Sequence, residues 1–145
     1  MSKSNVFEND LLLLIFNNTA IADIGDAGGL RATVTPGTLW WALYTSDPGE
    51  AGTAVTNEIS YTSYARQSVA RSGAGFTVTT NSVSPAANVV FPMSTGAAPT
   101  ATHFGIVSTA SGAGILLYSG TITPNIVVST TVVQTLTTGS TITED

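Results

Sequence analysis

The sequence contains no cysteine and few charged residues. Without cysteine, disulfides and thiolate-bound metal ions are excluded. Charged residues make up 9% of the chain, against ~25% in an ordinary globular domain. Serine and threonine supply 39 of the 145 residues, and threonine suits the pleated surface of a sheet. We therefore expect one β-rich domain over residues 1–145, since a chain of this length can bury a sufficient core.

The few charges are unevenly distributed. From Ser72 to Thr143 there is no Asp, Glu, Lys or Arg. Soluble β-proteins usually protect their edge strands with charged residues or proline. The edges of this half are therefore expected to be covered, by the chain itself or by copies of it. The alternative is that Ser, Thr and proline are sufficient protection.

The charge balance and the apolar runs also exclude two classes of partner. The net charge is −5, which repels phosphate backbones, so we expect no nucleic-acid binding. The longest apolar run, Leu11–Phe16, is shorter than the ~20 residues that span a bilayer. It is also shorter than a signal-peptide core, and acidic residues precede it. We therefore expect no membrane association.

Both tryptophans lie in one apolar stretch, Thr38–Tyr44, which ends in the turn Asp47–Gly49. This pattern predicts a strand whose two faces are both costly to expose. One interpretation places one face in the core and the other under the N-terminal helix or against a neighbouring chain. The other is a central strand buried on both sides within one subunit.

Residues Asn5–Asn17 form the one predicted helix. The spacing of Asn5 and Glu8 suggests a capping box, and the pair Asn17–Asn18 ends the helix. A stripe at helical spacing is formed by Phe7, Leu11, Leu14 and Ile15. Further apolar residues extend it around most of the circumference, so we expect one side to pack on the sheet and the other on a partner.

The rest of the chain alternates short strands with turn residues. After an extended segment at Tyr61–Val69, strands are predicted at Phe76–Thr80, Asn88–Phe91, His103–Val107, Gly114–Gly120, Ile126–Thr130, Val132–Thr137 and Thr141–Thr143. Turns are expected at Asn81–Ser82 and Pro124–Asn125, and Ser111–Gly114 is the clearest hairpin connection. This spacing predicts an all-β fold, an antiparallel β-sandwich or jelly-roll-like barrel with one N-terminal α-helix.

The residues that could carry chemistry do not form a recognisable catalytic set. His103 is the only possible histidine base, and it lies in an apolar strand where a hydrogen bond to a neighbour explains it better. The loop carboxylates Asp47, Glu50 and Glu58 have no motif context for glycoside hydrolysis. We predict no enzyme activity, no catalytic, cofactor-binding or metal-binding residue, and no cofactor.

Three weaker hypotheses concern binding. Asp23 and Asp26 in a Gly-rich loop could approach Ca²⁺, but a glycine-permitted turn explains the pattern better. An exposed Trp40 or Trp41 could stack on a sugar, although adjacent strand residues point to opposite faces. Arg66 is expected to tether the preceding loop by pairing with a carboxylate or stacking on an aromatic ring.

Several segments in this order resemble a family of small bacteriophage virion proteins. They are the early apolar helix, Trp41–Pro48, Ser63–Gln67, Asn88–Pro92, Thr102–Ile106 and Gly112–Gly120. Members of the family are commonly described as tail-fibre or virion structural proteins, and similar small β-proteins serve as capsid decoration or cement proteins. The resemblance covers nearly the whole chain and implies a virion component without enzyme activity.

On this basis we expect a capsid decoration or cement protein on the outer capsid surface, made in the host cytoplasm. Its expected partners are the major capsid protein and copies of itself, as a dimer or trimer. Clamping neighbouring subunits would stabilise the shell by mass action. The alternative is a tail-fibre or receptor-binding protein that presents the loops at 47–60 or 23–35 to the host.

Overall fold

The structure, a computed structural model, describes residues 3–22, 24, 29, 32–96 and 99–144. In them the helix α1 (Asn5–Asn17) precedes strands β1 (Thr38–Tyr44), β2 (Gln67–Ala70), β3 (Phe76–Thr79), β4 (Ser82–Pro85), β5 (Val89–Val90), β6 (Thr100–Val107), β7 (Leu116–Val127), β8 (Thr135–Leu136) and β9 (Ile142–Thr143). The strands form sheets of order β2-β1-β6-β7, β3-β4-β9 and β5-β8. The predicted all-β fold with one N-terminal helix is confirmed.

The chain divides into two compact units built from interleaved segments. Unit 1 contains Met1–Thr38, Val69–Asn88 and Thr137–Asp145. Unit 2 contains Leu39–Ser68 and Val89–Leu136. The single domain over residues 1–145 stays a prediction.

In unit 1, α1 packs on the β3–β4 hairpin. The helix has the predicted bounds, and Asn18 ends it in the left-handed conformation with φ of 56°. Its N-cap is Ser4, whose hydroxyl accepts a hydrogen bond from the Phe7 amide at 3.3 Å. The predicted capping box is wrong, because Asn5 is already the first helical residue.

The buried stripe of α1 is also not the predicted one. Glu8, Leu12 and Phe16 are buried, and the Phe16 ring meets Phe76 edge-on with centroids 5.0 Å apart. The members of the predicted stripe, Phe7, Leu11, Leu14 and Ile15, are only partly buried. A helix that is apolar on most sides gives no directional signal, so its sequence did not identify the face that the β-hairpin covers.

One arginine fastens the end of this helix. Arg71 donates from Nε to the Ile15 carbonyl at 2.6 Å and from Nη2 to the Leu14 carbonyl. Its Nη1 lies 3.4 Å from both the Thr33 hydroxyl and the Pro36 carbonyl. A cation at a helix C-terminus satisfies carbonyls that have no partner within the helix.

In unit 2, β1 is a central strand that is buried on both faces, as the second interpretation of this stretch predicts. Trp41 is 1% exposed and packs on Phe104 of β6, with ring centroids 5.3 Å apart. On the opposite face, Ala42 and Tyr44 form a core cluster with Ala54 and Val107.

Two glycines make room for the aromatic side chains of this sheet. Gly105 lies opposite Ala42 in the β1–β6 register, and a Cβ there would be 2.7 Å from the Tyr44 ring. Gly120 lies opposite Phe104, where a Cβ would be 2.9 Å from that ring. The close packing of aromatic rings in unit 2 therefore depends on residues without side chains.

The strands predicted after the tryptophan strand are confirmed in part. The predicted separate strand Ile126–Thr130 is wrong, because Ile126 and Val127 are the end of β7 and residues 128–130 are not in a strand. Of the predicted strand Val132–Thr137, only Thr135–Leu136 forms a strand.

β4 occupies Ser82–Pro85, where only a turn was expected, and pairs with β3 and β9. β7 continues through Pro124 to Val127, so the turn predicted at Pro124–Asn125 is wrong. Residues 61–66 are not a strand, because β2 begins only at Gln67. The Ser111–Gly114 segment joins β6 to the antiparallel β7 as predicted.

Candidate functional site

The loop that follows β1 is closed at its base. Tyr44 forms an antiparallel bridge with Glu58, and the Thr45 amide donates to the Asn57 carbonyl at 2.9 Å. At the tip, the Asp47 carboxylate accepts from the Gly49 amide at 2.9 Å, and Gly49 has φ of +70°. The predicted Asp-Pro-Gly turn is confirmed, and we call residues 45–58 the β1 loop.

A buried ion pair holds the β1 loop from within. The Arg66 side chain is 2% exposed and that of Glu58 is 15% exposed. Arg66 donates from Nε to Glu58 Oε1 and from Nη2 to Oε2, both at 2.7 Å. This two-point geometry is the strong form of an arginine–carboxylate pair. The predicted tether between Arg66 and a loop carboxylate is thus confirmed.

The same guanidinium also reaches the connection between β6 and β7. Its Nη1 donates to the carbonyl and hydroxyl of Thr109 at 2.9 and 3.0 Å. Its Nη2 lies 3.1 Å from the carbonyls of Ala54 and Gly112. Ala54 in turn donates its amide to the Gly114 carbonyl at 3.1 Å. One buried cation therefore joins the β1 loop and the 108–115 connection into one surface.

Two tyrosines complete the hydrogen bonding around this pair. The Tyr64 hydroxyl lies 3.0 Å from Glu58 Oε1 and accepts from the Leu43 amide at 3.0 Å. The Tyr44 hydroxyl donates to the Ala54 carbonyl at 3.1 Å. Burial, with the charge of Glu58 adding to it, raises the pKa of Tyr44 to about 12. Burial likewise raises the pKa of Tyr64, so both phenols stay neutral at physiological pH.

The hydrogen bonds that Arg66 donates to Glu58 raise the pKa of Arg66 above its usual value. Arg66 therefore stays charged over the whole physiological range. Because Arg66 donates its hydrogen bonds to Glu58, Thr109 and backbone carbonyls, it holds the two loops together. This arrangement gives rigidity, and it leaves no donor directed at an external ligand among the contacts described.

A cleft of about 420 Å³ lies beside the β1 loop. Its lining residues are Asp47, Gly49, Glu50, Gly52, Leu116, Leu117, Tyr118 and Ser119. A Cβ on Gly52 would lie 2.3 Å from the Pro48 carbonyl oxygen, so only glycine fits this wall. The two carboxylates give the cleft a negative potential, and the start of β7 supplies its apolar side.

Of the remaining sequence candidates, the structure describes His103. His103 is in β6, with Nδ1 2.9 Å from the Thr102 hydroxyl and Nε2 3.5 Å from that of Thr121. A hydrogen-bonded strand histidine is thus confirmed. Asp23 and Asp26 lie outside the described residues. Within the described part of the chain, no three His, Asp or Glu side chains are grouped closely enough to hold a metal ion.

One of the two tryptophans is excluded as a sugar-binding platform. Trp41 is buried, and Trp40 is partly buried against the core cluster of Ala42 and Val107. The stacking hypothesis is therefore wrong for Trp41. The sequence did not indicate the carbonyl acceptors of Arg66, because backbone groups carry no residue-type signal. Among the described residues, no helix combines the length and hydrophobicity that crossing a membrane requires.

A comparison with protein families shows which family the chain belongs to. The family model described as podophage GP4 fiber I protein gp80 matches residues 2–143. The chain belongs to this family. A search of curated proteins found no match. The family places the chain among phage virion structural proteins and so confirms the resemblance at that level, with the word fiber in its description.

Proposed function

We propose that the chain is a non-enzymatic structural subunit of a fibre on the phage particle, acting by assembly with copies of itself and with other virion proteins. The observation that carries the proposal is the match of residues 2–143 to a family described as a fiber protein. A fibre subunit needs a rigid body and fixed loops. The ion pair of Arg66 and Glu58, which joins two connections of unit 2, supplies such rigidity.

In this proposal the β1 loop and the 108–115 connection form a preset contact surface. Their backbone groups are already bonded to each other and to Arg66. A surface that is ordered before binding loses little conformational entropy when it docks, so it binds more tightly than a mobile loop of the same composition. This advantage of an ordered surface applies to contact with another virion protein and to contact with the host surface.

Decoration of the capsid through the major capsid protein is the second candidate. It is favoured by the composition of the second half, where the surface of residues 72–143 is neutral and rich in Ser and Thr. Such a surface offers hydrogen bonds to a capsid shell without burying charges. The fibre proposal takes precedence because the family description uses the word fiber.

The two candidates differ in location and abundance, which one preparation of intact virions measures. Gold-labelled antibody against the chain should mark fibres, and a stained gel should show far fewer copies than of the major capsid protein. Label spread evenly over the head, at a copy number comparable to that of the capsid protein, would contradict the fibre proposal and support decoration. An antibody against the major capsid protein is the control for access.

A further inference from the structure

The long edge strand β7 differs from the other sheet edges of this protein. β7 is the outermost strand in the order β2-β1-β6-β7 and has 12 residues. Other terminal strands, β2, β3 and β9, have four, four and two residues. An outermost strand presents a row of backbone donors and acceptors that another strand can pair with.

Only part of β7 is protected against such pairing. Its pairing with β6 jumps from Ala101↔Ile126 to His103↔Thr121, which places residues 122–125 in an irregular segment that includes Pro124. Bulges and proline are ordinary devices against strand addition. Residues 118–121, by contrast, pair regularly with His103–Ile106. The strand itself carries no charged residue, since none occurs between Ser72 and Thr143.

We propose that the 118–121 segment of β7 pairs antiparallel with the same segment of a second copy of the chain. The pair would lie about a two-fold axis perpendicular to the sheet, which continues the sheet from one subunit into the next. The inference rests on the proposed function, because a fibre subunit must associate with other subunits. Such an interface is isologous, so each copy contributes the same residues.

The chemistry of the edge favours a neutral strand, such as that of a second copy, over an acidic partner strand. A glutamate on an incoming strand would find no cation within residues 72–143 and would lie near Asp47 and Glu50 of the cleft, so it would lose hydration without compensation. Two copies instead bring neutral Ser119 and Thr121 side chains together. Both side chains are exposed in the single chain.

The nearby carboxylates do not oppose this pairing. Asp47 and Glu50 share the cleft with the first residues of β7, Leu116–Ser119. In an antiparallel pair centred near Gly120, the two acidic clefts lie toward opposite ends. At ~3.3 Å per residue they are separated by roughly 15–25 Å, beyond the ~8 Å screening length at physiological salt. The association should therefore depend little on salt.

The first test is sedimentation of the purified chain over a range of concentrations. The wild-type chain should associate into dimers, equally in low and high salt. Thr121→Lys should weaken the association at least tenfold, because the two lysines of a dimer would lie at diagonal positions of the paired strands, close enough to repel each other. Thr79→Lys is the matched control, since Thr79 is an exposed threonine on the edge strand β3 and should leave association unchanged. Circular dichroism and melting temperature verify that both variants fold.

The second test uses the absence of cysteine, which makes any introduced thiol unique. The variants Ser119→Cys and Thr121→Cys are oxidised mildly, each by itself and as a mixture of the two. At least one of these three samples should form a disulfide-linked dimer, while Thr79→Cys should not. Cross-linking no faster than the control, or a wild-type chain that stays monomeric, would overturn the inference. An oligomer that Thr121→Lys does not weaken would overturn the β7 interface, although it would still show that the chain associates with itself. The fibre proposal is decided separately, by the location of the gold label on virions.

Discussion

Each of the two units has one arginine that joins separate segments of the chain, but the two arginines have different partners. In unit 2, Arg66 is buried against the carboxylate of Glu58 and also reaches loop carbonyls. In unit 1, Arg71 is only partly buried and donates to helix and loop carbonyls. In a chain with so few charges, each of these cations joins segments that the sheets do not join. A buried pair is sensitive to loss of one member, whereas a half-exposed cation is replaceable by water.

Replacing Arg66 should have the largest effect. Arg66→Met leaves the Glu58 carboxylate buried without its cation, so the free energy of unfolding should fall by ~3–5 kcal/mol. Denaturant unfolding followed by the fluorescence of Trp40 and Trp41 measures this loss. The double variant Arg66→Met/Glu58→Gln removes both charges and should be less destabilised than the single variant. If the double variant lost as much unfolding free energy as the single variant, or more, the two charges would not be a coupled buried pair.

Alkaline pH should weaken unit 2 selectively, because all four tyrosines of the chain lie there. An unfolded tyrosine ionises near pH ~10, whereas Tyr44 ionises at about 12 when folded. The stability that depends on the neutral phenol is present below the unfolded pKa and is lost as pH rises between these values. The loss is ~1.4 kcal/mol per pH unit for each such group.

Denaturant unfolding at several pH values, with phenolate absorbance of the native chain, checks this titration. Tyr44→Phe is the matched variant, since it keeps the ring that packs beside Gly105 and removes the ionisable group. Its stability should fall less steeply above pH ~10. An equally steep fall in the variant would contradict the assignment to Tyr44.

Replacing Arg71 should have a smaller effect than replacing Arg66. Arg71→Met removes the donors to the Leu14 and Ile15 carbonyls. Hydrogen bonds from a charged donor contribute ~1.5–3 kcal/mol each at most, and water can reach part of this site, so a total loss of ~1–2 kcal/mol is expected. Amide hydrogen exchange should localise the loss to the end of α1. A loss as large as that of Arg66→Met would remove the contrast between the units.

The smallest effect is expected at a glycine of the 108–115 connection. Gly112 has φ of +70°, and a Cβ there would meet no atom within 4 Å. Gly112→Ala therefore costs only the conformational preference, ~1 kcal/mol. Gly73→Ala in unit 1 is the control, since its Cβ position is equally open. A change in melting temperature that is the same for both variants would contradict this reading.

The sequence predicted the elements whose signals are local. The tryptophan strand, the turn at Asp47, the end of α1 and the 111–114 connection follow from alternation and turn residues. The start of α1 was placed correctly, but from a capping box that does not form, because Ser4 is the N-cap. Pairing with a loop carboxylate was one of the two roles predicted for Arg66, the other being stacking on an aromatic ring. These predictions depend on neighbours along the chain.

The errors arise where tertiary packing decides. The helix has apolar residues on most sides, so Leu12 and Phe16 became its buried face only through the β3–β4 hairpin. Pro124 reads as a turn, but an outermost strand tolerates proline on its unpaired side, and β7 continues through it. The acceptors of Arg66 at Thr109 and Gly112 are backbone carbonyls, for which residue type carries no information.

Phage particles that lack this chain provide the most direct test of the central claim that it is a fibre component. Both heat stability and binding to host cells should be measured on the same preparation. If the chain is a fibre component, such particles keep their DNA on heating as well as wild-type particles but adsorb poorly to cells. Early loss of DNA with normal adsorption would contradict the claim and identify a capsid-stabilising protein.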